Sequence, residues 1–456
     1  MKKAIAWVIA LALAALLPGC SMDGAAWQET PVVPQTNESL TVYTVGGLLG
    51  GDMMRKALEL YQERYPEVKV ELIEAEDEET TGAQLERYSE EAVRIMAGEG
   101  PDVFIVSDVV MDVEKLVRQG VFADMEPFFE ADNFDWEPYN QAVMDGGVWR
   151  GKRFIIPLAY DFPLLFTTRS ALEETGFDVE ACGDYQGFLE ECFDFWEDPA
   201  QTRRMFCGSG WLLNTLGVSG ISVANYEART INLSSPLLEP ALRWRRTAME
   251  SDPLWNYGLA GGLEIAADVR DGKILWTGSL LGPLYGLYHD YAALKTLGEE
   301  VVMLPIRDID GGIQAEIEYP VAVRANSENL RNAYEYLKIL LSPEVQYGAA
   351  AQMGFSLSVL DSASEIYYQS GGMGRGFPAG SGGFYSETVP SLAGDPPTRE
   401  EFDQLMGYTR EITGAYYRDH SQYKLYEAMY DYFFEGADYQ ETLEKARRKL
   451  EIYITE

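Results

Sequence analysis

The sequence predicts an α/β fold with a mostly parallel sheet built early in the chain. Two observations carry that prediction. Between residues 40 and 120, short apolar runs alternate with segments of helical periodicity, the pattern of strands joined by crossover helices. The chain is also 456 residues long and 46% hydrophobic, a length that suggests two or three domains.

The elements follow in order. "LTVYTV" (40–45) reads as a buried strand and runs into Gly46-Gly47 and Gly50-Gly51. Met54, Ala57, Leu58, Tyr61 and Tyr65 recur at helical spacing until Pro66 stops the helix. "VKVELI" (68–73) alternates like a strand, and Leu85, Tyr88, Ala92, Ile95 and Met96 share one helical face. "PDVFIVS" (101–107) is a further buried strand, and a short helix over 112–119 closes at Gly120. In such sheets ligands sit beyond the carboxyl ends of the strands, here Gly46-Gly47 and Ser107-Asp108. A second, more helical block begins near Phe162. It holds the strand "VVMLPI" (301–306) and the helix "NLRNAYEYLKILLS" (329–342). The run "SGGMGRGFPAGSGG" (370–383) lacks the Gly-Lys-Ser/Thr ending of a phosphate loop and reads as a flexible loop. The C-terminal region predicts helices with one stripe of Tyr423, Tyr426, Tyr430 and Phe433, and another of Tyr439, Leu443, Ala446 and Leu450. Such stripes are usually core.

The N-terminus and the charge limit the function. Lys2 and Lys3 precede an uncharged apolar run, Ala4 to Leu17, which ends in Pro18-Gly19-Cys20. About 14 apolar residues are too few to span a bilayer, which needs roughly 20, and the order is that of a secretory leader. The ending resembles the bacterial lipobox, whose cysteine receives a diacylglycerol, so Cys20 is the expected lipidation site. The polar residues after it read as a tether. The net charge is −37, from 36 basic and 73 acidic residues, a surface that repels nucleic acid. Two histidines, His289 and His420, offer no metal cluster or Ser-His-Asp triad. Cys182, Cys192 and Cys207 leave two readings open: a Cys182–Cys192 disulfide, or three core thiols.

Several segments together resemble one family. "LELYQERYPEVKVEL", "GEGPDVFIVS", "LVRQGVFADMEPF", "WRGKRFIIPLAYDFPLLFTTRSALEETGFD", "VRDGKILWTGS", "VVMLPI" and "NLRNAYEYLKILLSPEVQ" run in the order found in the extracellular solute-binding proteins of ABC importers, carbohydrate type. The likeness covers nearly all of 40–456. It implies a two-lobed, periplasmic-binding-protein-like fold with a ligand cleft between discontinuous lobes. The divisions would be a leader (1–19), a tether (20–39), a first lobe (40–159 and 305–341) and a second (160–304 and 342–456). The chain would cross near 159–162, 301–305 and 341–345. The resemblance further implies a lipid-anchored, extracytoplasmic monomer that hands a sugar or oligosaccharide to a permease, with no cofactor, no metal and no catalytic residue.

A sugar site needs carboxylates or amides for hydroxyls and aromatic plates for ring faces. Asp161 in "PLAYD" aligns with a family acid that bonds sugar hydroxyls, with Tyr160 beside it. Ser107 and Asp108 end a strand at the expected cleft edge. The maltose-type pattern carries a tryptophan there, whereas this chain has Val106 and Val109. Trp211 falls where the second lobe's cleft residues lie in the family. Trp276, at a position where methionine is usual, and Gly278 follow the Asp-Gly-Lys turn. Trp255, Tyr319 and the backbone of Gly46 and Gly47 complete the candidates. Other solutes fit the same fold: a peptide, a polyamine drawn to carboxylates, or a uronate held by Arg375 or Arg324. The rival class is a surface glycosidase using two carboxylates.

Overall fold

The computed structural model describes residues 30–34, 39–45, 50–75, 81–207, 215–251, 262–278, 282–347, 356–369 and 395–456. Cys20, Gly46, Gly47, Trp211, Trp255, Arg375 and the glycine-rich run therefore lie outside the described residues, as does the Cys207 side chain.

Three sheets organise the chain. The first has Ser39–Val45 between Lys69–Ala75 and Val103–Ile105, parallel to both. Val321–Val323 and then Ile155–Ile156 extend it antiparallel. Val103–Ile105 and Val321–Val323 are buried throughout, as strands covered on both faces must be. Helix Gly51–Arg64 turns Met53, Met54, Ala57, Leu58 and Tyr61 inward, the spacing of one helical stripe. Helix Leu330–Leu340 packs on it, with the Tyr336 hydroxyl donating to the Met54 carbonyl at 2.9 Å.

The second sheet runs Val301–Pro305, Leu164–Thr168, Ile274–Thr277, Arg204–Cys207. All five residues of Leu164–Thr168 are buried. Cys182 and Cys192 are buried free thiols in this part of the molecule, not a disulfide. Burial pushes the Cys182 thiol up to about 12.

The third sheet joins the two lobes. Its order is Leu357–Ser358, Ala159–Asp161, Ile313–Glu318, Ile412–Tyr416. The expected crossing at 159–162 thus coincides with a hinge strand. The other two expected crossings fall elsewhere. Val301–Pro305 is paired along its whole length with Leu164–Thr168, inside the second sheet. An apolar run of that kind gains most between two covered faces. The return is made by Ile313–Glu318, whose burial alternates residue by residue, with Gln314, Glu316 and Glu318 half-buried on one face. Residues 341–345 stay on the first lobe, where the Tyr139 hydroxyl donates to the Leu341 carbonyl at 2.8 Å, and Leu357–Ser358 supplies the third hinge strand.

The first C-terminal stripe also departs from expectation. Helix His420–Ala428 ends at Met429 and a separate turn, Tyr430–Phe434, follows. The break leaves Tyr430 54% and Tyr423 38% exposed, while Phe433 is buried. In helix Tyr439–Thr455 the second stripe holds: Leu443, Ala446 and Leu450 are buried.

One glycine fixes a hairpin that matters below. A Cβ on Gly147 would stand 2.0 Å from the Ile155 carbonyl oxygen, a contact only backbone movement could relieve. Gly147→Ala is expected to lower stability by about 1–3 kcal/mol, read as a reduced denaturant midpoint. An unchanged midpoint would show that the hairpin does not sit against the sheet edge.

Candidate functional site

Between the lobes lies a cleft of about 1540 Å³. The first lobe supplies helix Val113–Arg118 and the hairpin formed by Val148–Trp149 and Lys152–Arg153. Asp112 caps that helix by accepting from the Lys115 amide at 3.2 Å. The second lobe supplies residues 216–232, including a hairpin formed by Ala224–Asn225 and Thr230–Ile231. The floor is the end of hinge strand Ile412–Tyr416 with Tyr417 and Arg418 beyond it.

Aromatic rings and carboxylates meet in this cleft. The rings of Trp149 and Tyr417 stack with centroids 6.0 Å apart and planes 19° from parallel. The Trp149 indole N–H reaches both oxygens of Glu114 at 3.2 Å. Burial pushes the Glu114 carboxyl up to about 7 against that bond. The Tyr226 hydroxyl donates to Asp419 at 2.6 Å. The lobes also touch directly. Tyr453, on the C-terminal helix, donates to Asp112, and Lys115 Nζ lies 3.7 Å above the Tyr453 ring. Arg150 of one hairpin pairs with Glu227 of the other. Gly217 presses on the floor, since a Cβ there would come within 2.4 Å of the Tyr416 ring.

A smaller cavity of about 100 Å³ opens beside Arg418, lined by residues 105–109 and 316–320. Three predicted residues meet here: Ser107, Asp108 and Tyr319. Arg418 pairs with Glu316 at 2.7 Å, and its backbone amide donates to Asp108 at 2.9 Å. His420 Nε2 lies 2.7 Å from the Asp108 carbonyl oxygen. Burial pushes Asp108 up to about 6, with Arg418 opposing the shift. Burial, helped by the charge of Glu316, pushes Glu318 up to about 8. Asp161 is raised by burial and then by Glu318. Ser356 donates to one Asp161 oxygen at 2.8 Å, and the other oxygen has no hydrogen-bond partner among the described residues.

The remaining predicted residues divide. Asp161 sits on the hinge sheet opposite Glu316, next to this carboxylate group. Tyr160 is 1% exposed and belongs to the core, because successive strand residues point to opposite faces. Trp276 is fully buried, edge-on to Phe177 with centroids 5.4 Å apart. Its strand, Ile274–Thr277, has no exposed residue, so Trp276 is a core side chain of the second lobe. Gly278 is buried just beyond that strand. Tyr319 has φ +52° and lies against Gly50. Arg324 is turned away from the cleft, donating to the carbonyls of Gly98 and Pro101. Sequence reasoning missed Glu114, Trp149, Tyr226, Tyr417 and Arg418. The signals were there: "WRGK" is a hairpin tip carrying an aromatic, and "YYRDH" puts a ring pair and a cation at a strand end.

Comparison with known proteins agrees with this architecture. Residues 49–192 match the model of the family described as bacterial extracellular solute-binding protein. Among solved structures, the sugar-binding protein MalE from Xanthomonas citri matches with a TM-score of 0.62 at 13% identity, over 91% of this chain and 97% of that one. The cyclic α-maltosyl-1,6-maltose binding protein from Arthrobacter globiformis matches at 0.57 and 14%, over 91% and 98%. The ABC substrate-binding protein Lmo0181 from Listeria monocytogenes, in complex with cycloalternan, matches at 0.56 and 10%, over 92% and 99%. At these identities the likeness is one of fold. No curated protein matches the chain.

The buried carboxyls set a pH dependence. Asp108, Glu114 and Glu318 titrate at about 6, 7 and 8 in the folded protein, above the roughly 4 of an unfolded carboxyl. Between about pH 4 and 8 the native state therefore holds protons that the unfolded chain has released, and these groups lower stability as pH rises. The ligand-free Tm is expected to be higher at pH 5 than at pH 8, and Glu318→Gln should narrow the difference. A Tm that climbs across this window, or a slope untouched by Glu318→Gln, would contradict the assignment.

Proposed function

We propose that the chain is a bacterial extracellular solute-binding protein, a reading supported by the family match over residues 49–192, and that it captures a sugar or oligosaccharide in the interlobe cleft for delivery to an ABC permease. The observation that carries this reading is the Trp149–Tyr417 pair at the cleft, bordered by Glu114, Asp419 and Tyr226. Ring faces of sugars stack on such plates, and their hydroxyls need such acceptors. At about 1540 Å³ the cleft exceeds the roughly 300–1,000 Å³ of ordinary small-molecule sites, which favours an oligosaccharide.

The proposed cycle follows from the hinge. Solute contacts both lobes only when they approach, so it stabilises the closed arrangement. The cleft acids bind hydroxyls and no bond is broken. Lipid on Cys20 would keep the receptor at the extracytoplasmic face of the membrane, near its permease, and the protein would work there as a monomer. The tether raises the encounter rate without fixing orientation.

Thermal unfolding against a panel of saccharides, peptides and polyamines tests the reading. A ligand at 100 times its Kd should add about 2.7 kcal/mol. Saturable stabilisation by saccharides, with the saccharide recovered intact, is the expected result. Stabilisation by a peptide or polyamine alone would discard the sugar, and released product would restore the glycosidase.

Two tryptophan variants separate cleft from core. Trp149→Ala should weaken saccharide binding about tenfold or more while moving Tm little. Trp276→Ala should cost about 3–5 kcal/mol of stability and leave the Kd of the folded protein nearly unchanged. The reverse pattern in calorimetry would move the site to the second lobe's interior.

A further inference from the structure

The lobes are tied together twice. The hinge sheet joins them at the floor of the cleft, and a second set of contacts joins them through elements outside that sheet. The second set centres on Tyr453, near the end of helix Tyr439–Thr455. Its hydroxyl donates to Asp112, its backbone carbonyl accepts from Lys115 Nζ at 2.8 Å, and the same ammonium lies 3.7 Å above its ring. A hydroxyl, a carbonyl and a ring face of one second-lobe residue thus all meet the first lobe.

Each side of this contact is built for it. Asp112 gives one oxygen to the Lys115 amide as a helix cap and the other to Tyr453. The Tyr453 carbonyl is among the last of its helix, where carbonyls lack a partner within the helix and the partial negative charge favours a cation. On the second lobe, Ala224, Tyr226 and Ile454 form a small buried cluster separate from the main core, with Ile231 and Tyr453 packed against it. Tyr226 meets the Tyr453 ring edge-on, with centroids 6.4 Å apart. Tyr226 is itself fixed by its bond to Asp419, which caps helix His420–Ala428. Tyr453 is therefore already ordered, and little side-chain entropy is lost when it meets the first lobe. The pair between the two hairpins, Arg150 with Glu227, is exposed on both sides, and ion pairs of that kind contribute little. Asp112 and Lys115 are half-buried, so the weight of the contact falls on Tyr453.

We propose that Tyr453 is a latch that holds the two lobes together across the cleft through groups of the chain alone, so that the arrangement which binds solute is populated before solute arrives. The cleft measures about 1540 Å³ with the latch made, so the latch leaves room for a solute. The apparent affinity of a receptor scales with the fraction of it in the binding-competent arrangement. The latch thus tightens capture without being part of the surface on which rings stack. The inference rests on the receptor reading for this effect on affinity, and its test needs no solute.

The test is small-angle scattering of the protein without added solute, fitted as a mixture of compact and extended arrangements. Tyr453→Phe removes the hydroxyl and keeps the ring in its cluster. Lys115→Met, added to it, removes the bond to the helix end. The ratio of compact to extended protein should fall about tenfold in the single variant, as loss of one hydrogen bond to a charged group implies, and further in the double variant. Melting of each variant checks that folding is intact. Glu227→Gln, which breaks the exposed hairpin pair, should barely move the ratio. Opening as large in Glu227→Gln as in Tyr453→Phe would overturn the assignment to Tyr453. A curve for the double variant that superimposes on that of the unmutated protein would overturn the latch and leave the sugar receptor standing. Opening in the tyrosine variants, with no saccharide bound by the unmutated protein, would keep the latch and discard the sugar.

Discussion

The hinge buries three carboxyl groups together, and one guanidinium holds them there. Glu316 and Glu318 project from the same face of Ile313–Glu318, and Asp161 stands directly across from Glu316. Directly paired residues on neighbouring strands have Cβ atoms about 4.5–5.5 Å apart, close enough for like charges to destabilise the pair. Two things relieve the repulsion. Arg418 neutralises Glu316, and Glu318 and Asp161 keep their protons to unusually high pH. The same Arg418 backbone amide ties down Asp108, at the end of a first-lobe strand. The join between the lobes is therefore an electrostatic arrangement as much as a sheet.

The site inherits its geometry from that join. Strand Ile412–Tyr416 pairs with Ile313–Glu318 and ends where Tyr417 and Arg418 begin. Its register decides which of them meets Trp149 and which meets Glu316. A slip of one residue would exchange their faces, removing a stacking plate from the cleft and the cation from the carboxylates together. Binding surface and hinge are thus specified by a single strand pairing.

What could be read from the sequence was what has a strong period. Helix Gly51–Arg64, helix Leu330–Leu340 and the strands of the first sheet announce themselves through apolar spacing. The hinge was less legible. Ile313–Glu318 carries its acids on the alternate positions where a soluble sheet shows polar residues, and nothing local says that those acids are buried by other segments. Trp276 and Tyr160 were candidates because they fall in segments that resemble the family's cleft stretches, but burial is decided by neighbours far along the chain. Ser107 and Asp108 were singled out because strand ends mark a cleft edge, and Tyr319 because it precedes Pro320 near the crossing strands; the three line one small cavity. Trp149 and Arg229 sit on hairpins of two-residue strands, too short to leave a periodic trace.

The interleaved order of the strands also governs when the protein can fold. Val103–Ile105 pairs with Val321–Val323 in the first sheet, so that sheet cannot close until residue 323 has been made. At 5–20 residues per second, that is roughly 15–65 s after synthesis begins. Non-local closure of this kind is intrinsically slow. Until that strand is made, the open edge of Val103–Ile105 has no partner, so synthesis of the first sheet and its closure are separated in time by most of the second lobe's sequence.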